Sequence, residues 1–242
     1  LLLSLALPIV ELPAPDGPHD VGYRSFSLLD ESRNEAYFGT PGELRELNLQ
    51  VWYPGTRDPA QPQPQVRTLW ESLYQGPRDP VTTLFGYMSA IKTHTYADLP
   101  LVIGGTAYPV IVFSHALALT AEQNTPLMEH LASHGYVVIG VNHTHMSLRV
   151  ISSREQVVPL APKVGEAFIE GAALDSQAFD VRVANAKSAE ERAEIAFELG
   201  RQSPTMNEQI AIRVADLRFV LDVITDSSMA PPELASMLEQ TD

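Results

Sequence analysis

The chain has 242 residues, 45% of them hydrophobic and 19% charged, a balance that suits one large globular domain whose core needs no staple. A formal net charge of -14, with no cluster of Lys or Arg, excludes nucleic acid as a partner and disfavours adhesion to anionic lipid through charge alone. Cysteine is absent, which excludes thiol catalysis, zinc–thiolate sites and a disulfide framework.

Leu1 to Val10 is an apolar run broken by Pro8, too short to cross a bilayer, which takes ~20 apolar residues. It reads as the remnant of a signal peptide or membrane anchor, or else as a plain apolar strand, so an exported or anchored location is preferred to a cytoplasmic one. Residues 11–20 carry three prolines and form a stiff linker. Strand patterns follow at Tyr23 to Leu28 and at Leu47 to Tyr53, where Leu47, Leu49, Val51 and Tyr53 alternate with Glu46, Asn48, Gln50 and Trp52. Pro54-Gly55 ends the second. Thr56 to Gln65 is a proline- and glutamine-rich loop, residues 66–92 hold one or two short helices, His94 is a loop residue, and Gly104-Gly105 marks a turn.

The run Tyr108 to Ser114, apolar and β-branched, has the pattern of a strand buried on both faces of a parallel sheet. His115 to Leu119 forms a loop. Thr120 and Gln123 have capping-box spacing for a helix carrying Leu127, Met128 and Leu131 on one face, and Gly135 stops it. Tyr136 to Val141 is a second buried strand, ending at Asn142-His-Thr-His145. Strand, helix, strand makes a βαβ unit and implies a parallel sheet. Residues 163–203 read as a helical insertion. Thr205 and Glu208 open a long helix with an apolar stripe at Ile210, Val214, Leu217, Leu221 and Ile224, ended by Pro231-Pro232.

Few residues offer chemistry. Ser114 and His115 are neighbours on a strand, point to opposite faces and form no dyad, so Ser114 reads as a strand-end serine. His130 and His134 have the spacing of a zinc-binding pair, but Leu131 stands where a metalloprotease motif needs glutamate, and no metal set is assigned. His143 and His145 share one strand face, where a third ligand would complete an ion site, and are read instead as lining the edge of the sheet where a substrate approaches. No pair of acids stands out as a glycosidase couple.

The stretch Tyr108-Pro-Val-Ile-Val-Phe-Ser-His-Ala-Leu-Ala, with Leu131-Ala-Ser-His-Gly-Tyr-Val-Val-Ile after it, resembles the platelet-activating-factor acetylhydrolase family. Val21-Gly-Tyr-Arg, Leu49-Gln-Val-Trp-Tyr-Pro, Asn142-His-Thr-His and Ala215-Asp-Leu-Arg-Phe-Val-Leu-Asp extend the resemblance in order over most of residues 20–225. It implies a partial α/β-hydrolase fold with a mostly parallel sheet, flanking helices and a helical insertion at about 163–203. Residues 1–20 are then a leader or linker, and 21–242 an incomplete hydrolase domain. The implied activity is that of a serine esterase or lipase acting on phospholipids with short acyl chains or on small esters, without a cofactor. Membrane association would run through a segment ahead of Leu1, and the oligomeric state is left open.

Such chemistry needs a Gly-x-Ser-x-Gly elbow, and the chain has none. The resemblance places the elbow one strand beyond the long helix, so nucleophile, acid and base are assigned to no residue and the chain alone is expected to be inactive. Leu117 matches the position whose backbone N–H serves the oxyanion hole. Ala116 and Ala118 replace two glycines there, and a positive φ at either would cost ~1 kcal/mol. The competing expectations are a non-catalytic hydrolase-like binding or scaffold domain, and an esterase of polyester or dienelactone type.

Overall fold

A computed structural model of the chain describes residues 9–37, 42–60, 66–73, 86–103, 107–173, 176–202 and 204–241. Residues 1–8 of the proposed leader and the Gly104-Gly105 turn lie outside them. The described residues form a six-stranded sheet in the order β3-β4-β1-β2-β6-β5. Its strands are β1 (Asp20–Asn34), β2 (Leu44–Gly55), β3 (Val66–Thr68), β4 (Lys92–Ala97), β5 (Val110–Ser114) and β6 (Val137–Asn142). A two-stranded hairpin, β7 (Arg149–Ile151) with β8 (Val157–Pro159), stands apart.

The long β1–β2 hairpin sets the frame, with Tyr23 opposite Trp52 and Phe26 opposite Leu49. β5 and β6 pair in parallel as the βαβ reading requires, Ser114 lying level with Val141. The sheet as a whole is mixed rather than mostly parallel, because β1–β2, β2–β6 and β3–β4 are antiparallel while β1–β4 and β5–β6 are parallel. A hairpin needs only a turn between its strands, whereas a parallel pair needs a crossover, and in this chain the crossovers come late.

Helices cover both faces. α1 is Leu69–Leu73, α2 Thr125–Ser133, α3 Pro162–Ala173, α4 Ser176–Asn185, α5 Ala189–Arg201, α6 Pro204–Thr225 and α7 Pro232–Leu238. On one face Leu47, Leu49, Val51, Val137, Ile139 and Val141 pack against Val220 and Val223 of α6 and Leu234, Met237 and Leu238 of α7. On the other, Val21, Tyr23, Trp52 and Val138 pack against Ala121 and against Met128 and Ala132 of α2. This is why Asn48 and Gln50 are buried despite the alternating pattern. Asn48 donates to Ser25 Oγ at 3.2 Å, and Gln50 bonds both Asn48 and Tyr23. None of the described helices is long and apolar enough to cross a membrane.

Four local expectations are corrected. His94 lies on β4, a strand hidden from apolar periodicity because its buried positions are Thr93 and Thr95. Thr120 caps no helix with its side chain. A 3-10 turn at Ala121–Asn124 comes first, and α2 starts at Thr125 with proline in its first turn. The buried face of α2 carries Thr125, Met128, Glu129, Ala132 and Ser133, leaving Leu127 half exposed. Gly135 stops the helix as expected, with φ of 94° and its N–H on the Ala132 carbonyl. Finally, α6 buries Gln209, Asp216, Val220 and Val223, while Ile210, Val214 and Leu221 of the expected stripe are exposed.

Candidate active site

Because β5 and β6 are neighbours and parallel, their carboxyl ends deliver Ser114 and the residues after Asn142 to one point at the end of the sheet. Ligands of open α/β sheets bind outside such ends. α6 crosses beneath and supplies Arg213 and Asp216. The four side chains make one hydrogen-bonded line. Ser114 Oγ lies 3.0 Å from His143 Nε2, and His143 Nδ1 lies 2.8 Å from Asp216 Oδ2. A carboxylate only accepts, so Nδ1 carries the proton, Nε2 presents a lone pair, and the Ser114 hydroxyl donates to it. Arg213 Nη2 donates to Ser114 Oγ at 2.9 Å and also to the His115 carbonyl.

Asp216 is fully buried and anchored from three sides. Arg45, itself 1% exposed, grips it with Nε at 3.1 Å and Nη2 at 2.7 Å, and Arg33 Nη1 stands 3.0 Å away. Burial by itself would raise the carboxyl pKa, but the hydrogen bonds from His143 and Arg45 and the Arg45 charge outweigh it and bring it down to about 2. Burial pushes His143 the other way for a base, below the usual histidine range, so it is the neutral imidazole at neutral pH. Arg45 further ties Glu35 at 2.7 Å and the Thr144 carbonyl at 2.9 Å to the same cluster.

The loop after β5 is held by its own contacts. His115 donates from Nδ1 to the Ala116 carbonyl at 2.7 Å, so its Nε2 accepts from the Ser147 hydroxyl at 2.8 Å and from the His143 N–H at 3.4 Å. Gln123, the residue expected to cap a helix, accepts instead from the Ala116 N–H at 2.8 Å. Leu119 N–H returns to the Ala116 carbonyl at 3.1 Å, and Ala118 between them takes φ of 59°. Leu117 packs its half-buried side chain on Met146, Ala161 and Val164. Its N–H has no acceptor among the described residues.

Ser114 is therefore more than a strand-end residue. It has no dyad with His115, as strand geometry requires, but finds His143 from the adjacent strand end. His143 and His145 do not share a strand face: both lie in the turn after β6, and His145 has φ of 65°. The rings of His130 and His134 lie 4.7 Å apart, tilted to each other, on the surface end of α2, beside Asp16 of the linker. Arg45 and Arg213 escaped the sequence reading, and Asp216 entered it only within the resemblance at Ala215 to Asp222, with no role assigned.

A mixed sheet with helices on both faces and a polar cluster at the ends of adjacent parallel strands is the arrangement of an α/β-hydrolase. The chain belongs to the family described as platelet-activating factor acetylhydrolase, isoform II, whose model matches residues 6–230. It is similar to a solved ferulic acid esterase from Streptomyces cinnamoneus at 22% identity and a TM-score of 0.49, over 75% of this chain and 52% of that one. The chain thus spans about half the length of that esterase. No curated protein matches it.

Proposed function

We propose that the chain is the N-terminal half of a serine ester hydrolase, acting on phospholipids with short acyl chains or related small esters, with its nucleophile on a strand that follows Thr241. One observation carries this reading. Thr241 bridges Tyr108 in parallel, with the Tyr108 N–H on the Gln240 carbonyl at 2.9 Å, at the start of β5 and on its outer edge. A strand continued from that bridge runs parallel to β5. With equal rise per residue it draws level with Ser114 after about six residues and delivers a strand-to-helix elbow beside the loop 115–119. Serine there attacks the ester carbonyl, and the Leu117 N–H, without an acceptor among the described residues, donates a hydrogen bond to the oxygen on which charge develops. One such donor lowers the barrier by ~3–4 kcal/mol. In this reading Ser114, His143 and Asp216 hold the two strand ends and the oxyanion loop in register.

A second reading makes Ser114 itself the nucleophile, since its line to His143 and Asp216 has the spacing of a hydrolase triad. Against it, Arg213 covers the hydroxyl and His143 is wholly buried.

One experiment separates the readings. The 242-residue chain and a chain extended through the next strand and helix are assayed on p-nitrophenyl acetate, then labelled with a fluorophosphonate and mapped by mass spectrometry. Turnover confined to the extended chain, with the label on a serine of a Gly-x-Ser-x-Gly, supports the proposal. A label on Ser114 that is lost in Ser114→Ala moves the assignment to the second reading. An extended chain with neither turnover nor label leaves a binding or scaffold domain, with Ala118 as the residue that distorted its oxyanion loop.

A further inference from the structure

We propose that Asp16, His130 and His134 form a site for a divalent transition-metal ion, zinc being the best match, which clips the proline-rich segment before β1 onto the end of α2. The two histidines are one helical turn apart and project from one face. Both aim at the same atom: His134 Nε2 is 2.8 Å and His130 Nδ1 is 3.3 Å from Asp16 Oδ1. All three ligand atoms fall within 4.8 Å of one another. Zinc bonds of about 2.0–2.2 Å in tetrahedral array need ligands roughly 3.3–3.5 Å apart, so an ion seats here with small side-chain rotations.

Asp16 is brought to the histidines by a built contact and not by a loose loop. The Gly17 N–H donates to Ser133 Oγ at 3.1 Å and the His19 N–H to the Ser133 carbonyl at 3.2 Å. A Cβ on Gly17 would stand 2.2 Å from that carbonyl oxygen, so only glycine allows the segment to lie this close. Upstream, His94 Nε2 holds the Leu12 carbonyl at 3.1 Å. The carbonyls at the C-terminal end of α2 add a negative field beside the site, and the acidic chain as a whole attracts cations. Two imidazoles and one carboxylate suit zinc, nickel or copper over calcium or magnesium. Side-chain exposures of 77%, 49% and 43% for Asp16, His130 and His134 leave the fourth position to water. The site lies on α2, away from the cluster around Ser114, and its existence does not depend on the proposed esterase activity.

The test is a titration of metal-free protein, as the 242-residue chain or any longer one, with zinc chloride by calorimetry and with cobalt chloride by visible absorption. One equivalent is expected, with cobalt bands of low-coordinate N/O ligation and a rise in melting temperature on zinc addition. Asp16→Asn and His134→Asn should each weaken binding by about tenfold or more. Gly17→Ala removes no ligand but displaces the segment, and should weaken it too. These residues are exposed or in the linker, and a melting curve for each variant verifies that the domain still folds. No saturable binding overturns the proposal. So does wild-type affinity in both Asp16→Asn and Gly17→Ala, which would reduce the site to a helical histidine pair.

Discussion

Ala118 carries the local strain of the oxyanion loop. At φ of 59° its Cβ crowds the following carbonyl, a conformation that costs an L-residue roughly 1–2 kcal/mol, of which glycine's greater freedom in the unfolded chain recovers only part. Ala118→Gly should therefore stabilise the fold by about 0.5–1 kcal/mol, seen as a higher urea midpoint at unchanged slope; an unchanged or lower midpoint would mean the loop relaxes around alanine. His115, two residues before Leu117, sets the response to acid. It is 1% exposed and burial pushes its pKa down to about 3. Its folded value lies below the unfolded 6.5, so the unfolded chain takes up a proton that the folded one refuses. The stability it contributes is complete above about pH 6.5 and is lost as the pH falls toward 3, amounting to ~3 kcal/mol by about pH 4. His143 shifts in the same direction, and Asp216 adds its own loss between about 4 and 2. Denaturant midpoints should be flat from pH 7 to 8 and fall steadily below 6.5, and His115→Gln should flatten the slope between 6.5 and 4. A midpoint that holds down to pH 4 in the wild type would contradict the burial of both imidazoles.

At the scale of elements, β6 lets the 3-10 turn at Ala121–Asn124 approach one face of the sheet through one small residue. A Cβ on Gly140 would meet Ala121 Cβ at 2.8 Å and the Trp52 ring at 3.1 Å. Gly140→Ala should cost ~1–3 kcal/mol by forcing the 3-10 turn off the sheet, and a near-neutral effect would show that the Ala121–Asn124 turn is free to slide. The same strand was among the most legible in the sequence, as was β5, because both are unbroken apolar runs; of α2 only its existence and its end at Gly135 were legible, its start and buried face being otherwise. β4 was not legible, since its inward residues are threonines, Thr95 bonded to the buried Glu129. α6 was misread for a related reason: its inward face carries Gln209 and Asp216, so the apolar period pointed to the wrong side. The resemblance located the loop around Leu117 and passed through His143 and Asp216, yet the pairing of those residues beneath the loop was not legible. Asp216 finds Arg45 across 171 positions and His143 across 73, and no local pattern encodes partners at such distances. Removing Asp216 tests that network directly. Asp216→Ala leaves buried Arg45 with Glu35 as its remaining carboxylate partner and its Nε and Nη2 unsatisfied on the Asp216 side, and should cost about 3–5 kcal/mol, whereas a loss below ~1 kcal/mol would mean that Glu35 alone holds the arginine.

For the whole molecule, the two edges of the sheet are unequal. β3 is short, a common way of blunting an edge, but β5 is apolar and partly buried, and among the described residues its outer edge is met by the Tyr108–Thr241 bridge at its start. Close by, α6 shows solvent a row of Ile210, Val214 and Leu221, exposed by 52%, 42% and 50%. An open strand edge and an apolar helical row on one body are the features that drive association. A strand continued from Thr241 would pair with the β5 edge, and a helix returning after it would have the α6 row to pack on. The 242-residue chain should accordingly bind a hydrophobic dye, associate as its concentration rises and melt over a broad range. A chain extended through that strand and helix should lose the dye signal and melt higher and more sharply. The comparison is decisive in either direction. If the 242-residue chain is a monomer at high concentration with a sharp melting transition, and extension changes neither, then nothing in solution needs the β5 edge, and the proposed pairing from Thr241 fails along with the nucleophile strand built on it.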